Sequence, residues 1–293
     1  KVDGEYVLVS RPRYITNPEA ICKYPNVYMA PDSKKGILID YTKYKSGQLQ
    51  DLGVKQVALN FRISDFLGPT TNALFPTIHY SYDGRTYAFN GAMLSGFDET
   101  VKYLSSQGIS VTAILLNSYT GANIALIHPD SRSAGVCPYY MFNGSDADGV
   151  NAMAAAATFL AERYSGAHGT ISNWIIANEI NATKEWNYYP STDHYTYSDE
   201  YAKGFRVFYN AIKSVNGDAK IYMPLDQTWN RNLNNGDYDG RDILDDFNSI
   251  ISSKGNIDWD LSYHSYPVPL TNAAFWNTGS FKKYTTQSVD TPM

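Results

Sequence analysis

The sequence predicts an α/β fold of the (β/α)8, TIM-barrel type, with only about six β/α units present in this chain. Apolar runs of strand length alternate with amphipathic helical stretches roughly every 35 to 50 residues, which is typical of parallel strands joined by crossover helices. Each apolar run also ends in polar or aromatic residues. A barrel collects such residues from all of its strands at one mouth, whereas a doubly wound sheet concentrates them at one switch point.

The pattern divides the chain into a lead-in over residues 1–35, which packs on or links to the barrel, and an incomplete barrel domain over 36–293. Glu5–Ser10 in the lead-in also resembles a strand. The predicted barrel strands are residues 36–40, 54–63, 109–116, 171–179, 219–225 and 259–263. The predicted helices are 48–52, 97–107, 150–164, 199–215 with Ser198 as N-cap, and 242–252.

One segment interrupts this alternation. Residues 78–89 alternate around Asp83-Gly84, a pair that favours a two-residue type I′ turn, and they predict a β-hairpin inserted in a loop. Two acidic stretches, at 146–149 and 237–240, resemble calcium loops only faintly and are interpreted as turns.

Composition excludes several classes of protein. The net charge of −5 gives no electrostatic reason to expect nucleic acid or an anionic membrane as partner. No cofactor or metal is expected, because the sequence holds no P-loop, HExxH motif or Gly-rich dinucleotide turn. Cys22 and Cys137 are far apart in sequence and are either a disulfide or two free thiols.

The 25 tyrosines and 5 tryptophans are the unusual feature of the composition. Aromatic rings with polar tips suit surfaces that bind sugars, because the flat C–H face of a pyranose can stack on them. The alternative is that these side chains fill half-exposed positions without a ligand.

The strongest candidate site follows the fourth predicted strand. The apolar run around Trp174 ends abruptly in Asn178 and Glu179. A carboxylate at the end of a buried strand is costly for packing alone, and in a parallel α/β protein that end of the strand usually carries the chemistry. Other strands end similarly, with Arg62, Asn117, Tyr119, Asp226, Trp229, His264 and Tyr266.

Two of these motifs carry a resemblance to a known family. Trp174-Ile-Ile-Ala-Asn178-Glu179 resembles the fourth strand of the clan A glycoside hydrolases, (β/α)8 barrels that cleave glycosidic bonds with retention. The resemblance implies that Glu179 is the general acid/base and that Asn178 binds the sugar 2-hydroxyl. The stretch from Ser262 through Pro267 resembles the sixth strand, which implies that His264 and Tyr266 line the cleavage subsite.

Arg62 is similar to the second-strand arginine that supports the nucleophile in that family. The whole chain also resembles a poorly characterised group of bacterial secreted proteins, which implies a secreted or cell-surface location. The resemblance departs at the nucleophile, a glutamate that ends the seventh strand in the family. The last glutamate of this chain is Glu200, so the nucleophile is expected beyond residue 293. A C-terminal segment or a second chain would then complete the barrel.

The sequence therefore predicts a retaining glycoside hydrolase that acts on a β-linked oligo- or polysaccharide, and the chain alone is expected to be inactive if it is a fragment. Trp186, Trp229 and Tyr119 are candidate stacking platforms for the substrate, and Asn117 is a further candidate ligand. One alternative is that the barrel closes in a different way and that Asp226 is the second carboxylate beside Glu179.

Other interpretations remain open. The protein could be a non-catalytic carbohydrate-binding barrel or, less in keeping with its five histidines, a metal-dependent barrel hydrolase. Glu179 could be a structural carboxylate paired with Arg62, and Glu185 is interpreted as a solvated loop residue.

Overall fold

The computed structural model describes residue 4 and residues 13–70, 72–229 and 237–266. The strands are β1 Gly36–Leu38, β2 Gln56–Arg62, β3 Ile78–Tyr82, β4 Arg85–Phe89, β5 Ser110–Leu116, β6 Ser165–Gly166, β7 Gly169–Ile176, β8 Lys220–Leu225 and β9 Asp260–Tyr263. The helices are α1 Gln48–Asp51, α2 Ile63–Phe66, α3 Gly91–Ser106, α4 Ala147–Arg163, α5 His194–Lys213 and α6 Gly240–Lys254. Short 3₁₀ helices span Pro18–Ile21, Gly121–Leu126 and Pro129–Ser131.

The described strands form a curled parallel sheet in the order β1-β2-β5-β7-β8-β9, which with its helices makes half of a (β/α) barrel. All five neighbouring pairs of strands are parallel. Helices α3, α4, α5 and α6 lie in the connections between them, and the short strand β6 pairs antiparallel with the start of β7. The prediction of six barrel strands in this chain order is confirmed. Parallel strands place all of their carboxyl ends at one edge, where the predicted site residues lie.

The hairpin β3–β4 is also confirmed. Asp83 and Gly84 have φ values of 47° and 73°, so both turn residues are left-handed as a type I′ turn requires. The hairpin forms its own two-stranded sheet outside the barrel sheet.

The main core lies between the helices and one face of the sheet. Alternate residues of β2 and β5, including Leu59, Phe61 and Leu115, are buried with Trp174 of β7. The opposite face carries a smaller cluster of Ile114, Leu116 and Ile175 together with polar side chains such as Asn173. The strands are therefore not apolar on both faces, and the polar positions are those that face the barrel interior.

Four helices begin earlier than predicted: α6 begins two residues early, at Gly240, and an upstream polar side chain caps each of the other three. Asn90 accepts from the backbone N–H of Ala92 at 3.1 Å, so α3 begins at Gly91. The Asp146 side chain caps α4, so the stretch interpreted as a turn is the start of a helix. Ser198 is wrong as a cap: the Asp193 carboxylate accepts from Thr196 N at 2.9 Å and α5 begins five residues earlier than expected, at His194.

The described part of the lead-in packs against the barrel. Tyr14 N donates to Lys254 O at the end of α6, and Tyr24 N donates to Val215 O just after α5. Cys22 and Cys137 are free thiols. The predicted strand at residues 5–10 and the segment from Pro267 onward lie outside the described residues. None of the described helices is long and apolar enough to cross a membrane.

Candidate functional site

Glu179 lies just beyond β7, in a strained piece of backbone. Ala177 and Glu179 have φ values of 71° and 40°, the left-handed region that non-glycine residues rarely adopt. Each such residue costs on the order of 1 kcal/mol, and strain of this kind clusters at functional sites. Both strained residues therefore lie in the short segment that carries the Glu179 carboxylate beyond the end of β7.

His264, which follows the edge strand β9, is hydrogen-bonded with this carboxylate. Its Nδ1 lies 2.8 Å from Glu179 Oε1, and both side chains are largely buried. The backbone N–H of His264 donates to Leu225 O at 2.8 Å, which fixes the histidine as a continuation of β9 beside β8. Two motifs that are 85 residues apart in sequence therefore meet at one hydrogen bond.

Glu179 opens into a cavity of about 340 Å³, here called the Glu179 cavity. Its lining residues come from the loops after β7, β8 and β9: Glu179, Asn181, Ala182, Glu185, Trp186, Asp226, Gln227, Thr228, Asp237, Tyr238 and Tyr266. Four of these described residues carry carboxyl groups and none carries a positive charge. The cavity thus combines acids with aromatic rings, and it disfavours anionic ligands.

Asp226 is occupied by its own loop. Its Oδ1 accepts from Asn181 Nδ2 at 2.5 Å and from Thr228 N at 2.7 Å, and its Oδ2 accepts from the Thr228 hydroxyl at 3.1 Å. Burial raises the pKa of Asp226, while the bond from Asn181 opposes that rise. Because both oxygens are engaged, Asp226 joins the ends of β7 and β8, and this placement does not favour it as the partner carboxylate.

Glu185 and Asp237 form a pair of neighbouring acids. Glu185 is half-buried and hydrogen-bonded with Asp237, and burial followed by the charge of Asp237 raises the pKa of Glu185. Asp237 is itself buried and accepts from the Thr183 hydroxyl and from Lys184 N, each at 3.2 Å. The interpretation of Glu185 as a solvated loop residue is wrong, because its loop folds back over the cavity.

Aromatic side chains form another part of the wall. Trp186 lines the Glu179 cavity with 36% of its surface exposed, and its ring stacks on Tyr139 with centroids 6.0 Å apart. Tyr266, which follows His264, also lines the cavity and is 47% exposed. Both predicted aromatics are therefore placed where a ligand could reach them.

Three of the predicted substrate ligands lie elsewhere. Asn117 is 1% exposed, and its side-chain amide donates to Leu126 O at 2.8 Å. Tyr119 packs on Tyr140 in a small core beneath the loop, and Trp229 packs edge-on against Tyr263. None of the three lines the Glu179 cavity, because packing within the protein takes up their side chains.

Arg62 pairs with Asp65 at 2.6 Å, and not with Glu179. It lines a second cavity of about 250 Å³, here called the Tyr139 cavity, whose wall also includes Asn60 and Tyr139. The interpretation of Glu179 as a carboxylate paired with Arg62 is therefore wrong. Asn178 is half-buried next to Glu179 and does not line the Glu179 cavity in this structure.

The sequence did not reveal Asn181, Asp237 or Tyr139 as site residues. Asn181 and Asp237 lie in loops, and their sequence gives no signal beyond the presence of an amide or a carboxyl group. Tyr139 lies in a loop that contains Gly and Pro. Their positions depend on how the loops fold over one another. Within the described residues, no three or more His, Cys, Asp or Glu side chains are arranged to hold a metal ion.

Comparison with solved structures shows the fold. The chain is similar to the endo-1,4-β-mannanase from Rhizomucor miehei, at a TM-score of 0.50 and 15% identity, over 85% of this chain and 72% of that one. It is also similar to the endo-β-1,4-mannanase from Thermotoga petrophila, at 0.48 and 15%, over 87% of this chain and 55% of that one. A β-glucosidase from Thermotoga maritima in complex with deoxynojirimycin matches at 0.44 and 14%, over 77% and 54%.

The chain spans about half the length of the β-glucosidase structures that it matches. The fold that the chain shares with the Rhizomucor miehei enzyme is a (β/α) barrel, present here in part. No curated protein sequence matches the chain. Residues 27–293 match the family described as "Family of unknown function (DUF5722)", and the chain belongs to that family.

Proposed function

We propose that this protein is a glycoside hydrolase that cleaves β-linked oligo- or polysaccharides with retention, and that Glu179 is its acid/base. The carrying observation is the Glu179–His264 hydrogen bond of 2.8 Å at a strained strand end that opens into a cavity with exposed aromatic rings. The glycosidase-like fold supports the proposal, because barrels of this type place their chemistry at the carboxyl ends of the strands.

In this mechanism Glu179 first donates a proton to the leaving oxygen while a second carboxylate attacks the anomeric carbon. Glu179 then removes a proton from water, and that water releases the sugar from the glycosyl-enzyme. His264 suits both steps, because an imidazole Nδ1 can donate to ionised Glu179 or accept from its protonated form. The histidine thereby keeps the carboxyl group oriented through the cycle.

The nucleophile belongs, in this proposal, to polypeptide that completes the barrel. A retaining enzyme needs two carboxyl groups about 5–5.5 Å apart. Among the described residues, Asp226 is engaged by Asn181 and Thr228, and Glu185 is engaged with Asp237. Within the described sheet, β1 and β9 are the edge strands, and further β/α units from a C-terminal segment or a second chain would pair with them. We place the site of action in the extracellular space or at the cell surface, where polymeric substrates are met.

The decisive experiment is chemical rescue of a Glu179→Ala variant of the full-length protein. On aryl β-glycosides with a poor leaving group, we expect activity to fall by about 10² to 10⁴. With 2,4-dinitrophenyl β-mannoside or β-glucoside, which need no acid, added azide should restore turnover and give the β-glycosyl azide. Glu19→Ala, a change at an exposed glutamate, should retain normal activity and is the matched control.

Full activity of Glu179→Ala, or rescue that yields the α-glycosyl azide, would contradict the assigned role. A non-catalytic carbohydrate-binding barrel is the second candidate, because the other cavity carboxyls in the described residues are bonded within the protein. Saccharide binding without any product release by the full-length protein would select that alternative.

A further inference from the structure

We propose that the Tyr139 cavity continues the Glu179 cavity as a second sugar-binding site, so that the ligand is a chain of several uncharged sugar units. This inference rests on the proposed function for the chemical class of its ligand. The polar and aromatic side chains that form this second site include Asn60, Arg62 and Tyr139.

The two cavities open at the same edge of the sheet. Asn60 and Arg62 lie at the carboxyl end of β2, and Glu179 follows β7. Strand β5 lies between β2 and β7, with Arg62 in register with Leu116 and with Leu115 in register with Ile176. Two strand spacings of about 4.8 Å therefore separate the two strand ends, or about 10 Å. One sugar ring does not span that distance, but a short chain does.

An aromatic pair lies between the two cavities. Tyr139 lines one cavity, Trp186 lines the other, and their rings stack at 6.0 Å and 25°. Backbone bonds fix this pair, since Tyr188 N donates to Tyr139 O at 2.9 Å and Met141 N donates to Tyr188 O at 3.1 Å. A sugar chain that passes from one cavity to the other crosses an aromatic surface held in place by two joined loops.

The polar groups of the Tyr139 cavity suit hydroxyl groups. Asn60 is exposed and offers an amide, while the Arg62–Asp65 ion pair offers donors and acceptors on one side. Asp40 lines the same cavity, and the Glu179 cavity contains four carboxyls, so negative charge prevails along the whole path. Such a path disfavours uronates and sulfated sugars and favours neutral chains.

The test is a length series measured by calorimetry on the full-length Glu179→Gln protein. The probes are β-1,4-linked manno- and gluco-oligosaccharides, from the disaccharide to the hexasaccharide. We expect affinity to rise with length in at least one series. In the Glu179→Gln background, Tyr139→Ala should weaken hexasaccharide binding about ten-fold and leave disaccharide binding unchanged.

Two further variants make the test independent of folding. Asn60→Ala changes an exposed side chain in the same cavity and should selectively weaken the longer probes, by about three-fold. Tyr195→Ala, at an exposed position of α5 that lines neither cavity, should change nothing. Length-independent affinity, or equal weakening of all lengths by Asn60→Ala, would overturn this inference while leaving the proposed function standing. Lack of binding by every probe would count against both.

Discussion

At the scale of single residues, the sequence predicted which strand-end side chains lie together better than it predicted the loop residues around them. Glu179, His264 and Tyr266 were predicted from strand-end motifs, and the structure brings them to one place. The sequence could not show that Asp237 and Glu185 meet, because that contact joins two loops about 50 residues apart and depends on tertiary folding.

The Glu185–Asp237 pair leads to a stability prediction. The pKa of Glu185 is raised by burial and by the charge of Asp237, so its ionised form is less favourable in the folded than in the unfolded protein. This destabilisation begins as pH rises through the unfolded pKa of about 4.5 and grows to its full size above the folded pKa. Glu185→Gln should therefore raise the unfolding free energy at pH 7 by on the order of 1 kcal/mol.

Urea unfolding of both proteins at pH 7 and at pH 4 measures the effect. The increase in unfolding free energy should be smaller at pH 4, because Glu185 is then largely protonated in the unfolded chain as well. Glu19→Gln, at an exposed glutamate, is the matched control. An increase in unfolding free energy of equal size at both pH values would show that Glu185 and Asp237 do not repel each other in the folded state.

At the scale of elements, the strands were more predictable than the helix starts. An apolar run such as 109–116 requires burial whatever surrounds it, so its identity as a strand is fixed locally. A helix start depends on which of several capping side chains engages the backbone. Around α5 both Asp193 and Ser198 were available, and the carboxylate of Asp193 engages the backbone N–H of Thr196.

Gly169, the first residue of β7, offers an element-scale test. Its φ is +90°, and a Cβ there would lie 2.7 Å from the carbonyl oxygen of Val101 on α3. Gly169→Ala should therefore push the helix away from the strand and lower the unfolding free energy by roughly 3 kcal/mol. Gly166 in β6 is the matched control, because a Cβ there meets nothing within 4 Å.

Equilibrium denaturation of the two variants measures this directly. Gly166→Ala should lie within about 0.5 kcal/mol of the parent protein. If the two alanine variants were equally stable, the close approach of α3 to β7 could not be a constraint on the fold.

At the scale of the whole molecule, chain order was enough to predict a parallel sheet of six strands, because right-handed crossovers leave few other arrangements. The paths of the long loops were not predictable from their sequences. Asn117 and Trp229 illustrate this, since both follow strands as site residues do. The amide of Asn117 is buried and donates to Leu126 O, and the partly buried ring of Trp229 packs against Tyr263.

A charged contact between distant parts of the described molecule contributes to its acid stability. Glu200 on α5 accepts from Lys203 Nζ at 2.6 Å, and it lies 3.2 Å from the buried His128 in the loop after β5. The hydrogen bond with His128, and then that from Lys203, lower the pKa of Glu200 from 4.5 to about 2. A lowered carboxyl pKa contributes stability that is fully present above pH 4.5 and is lost as pH falls towards 2.

Glu200→Gln should accordingly lower the unfolding free energy at pH 7 by about 2 kcal/mol, since it removes the ionised acceptor from both partners. The difference from the parent protein should narrow steadily as pH is lowered from 4.5 to 2, because the parent loses the same contacts by protonation. Urea titrations across this pH range, with Glu19→Gln as an exposed control, measure both points. A difference that stayed constant with pH would mean that the Glu200 charge does not join α5 to the His128 loop.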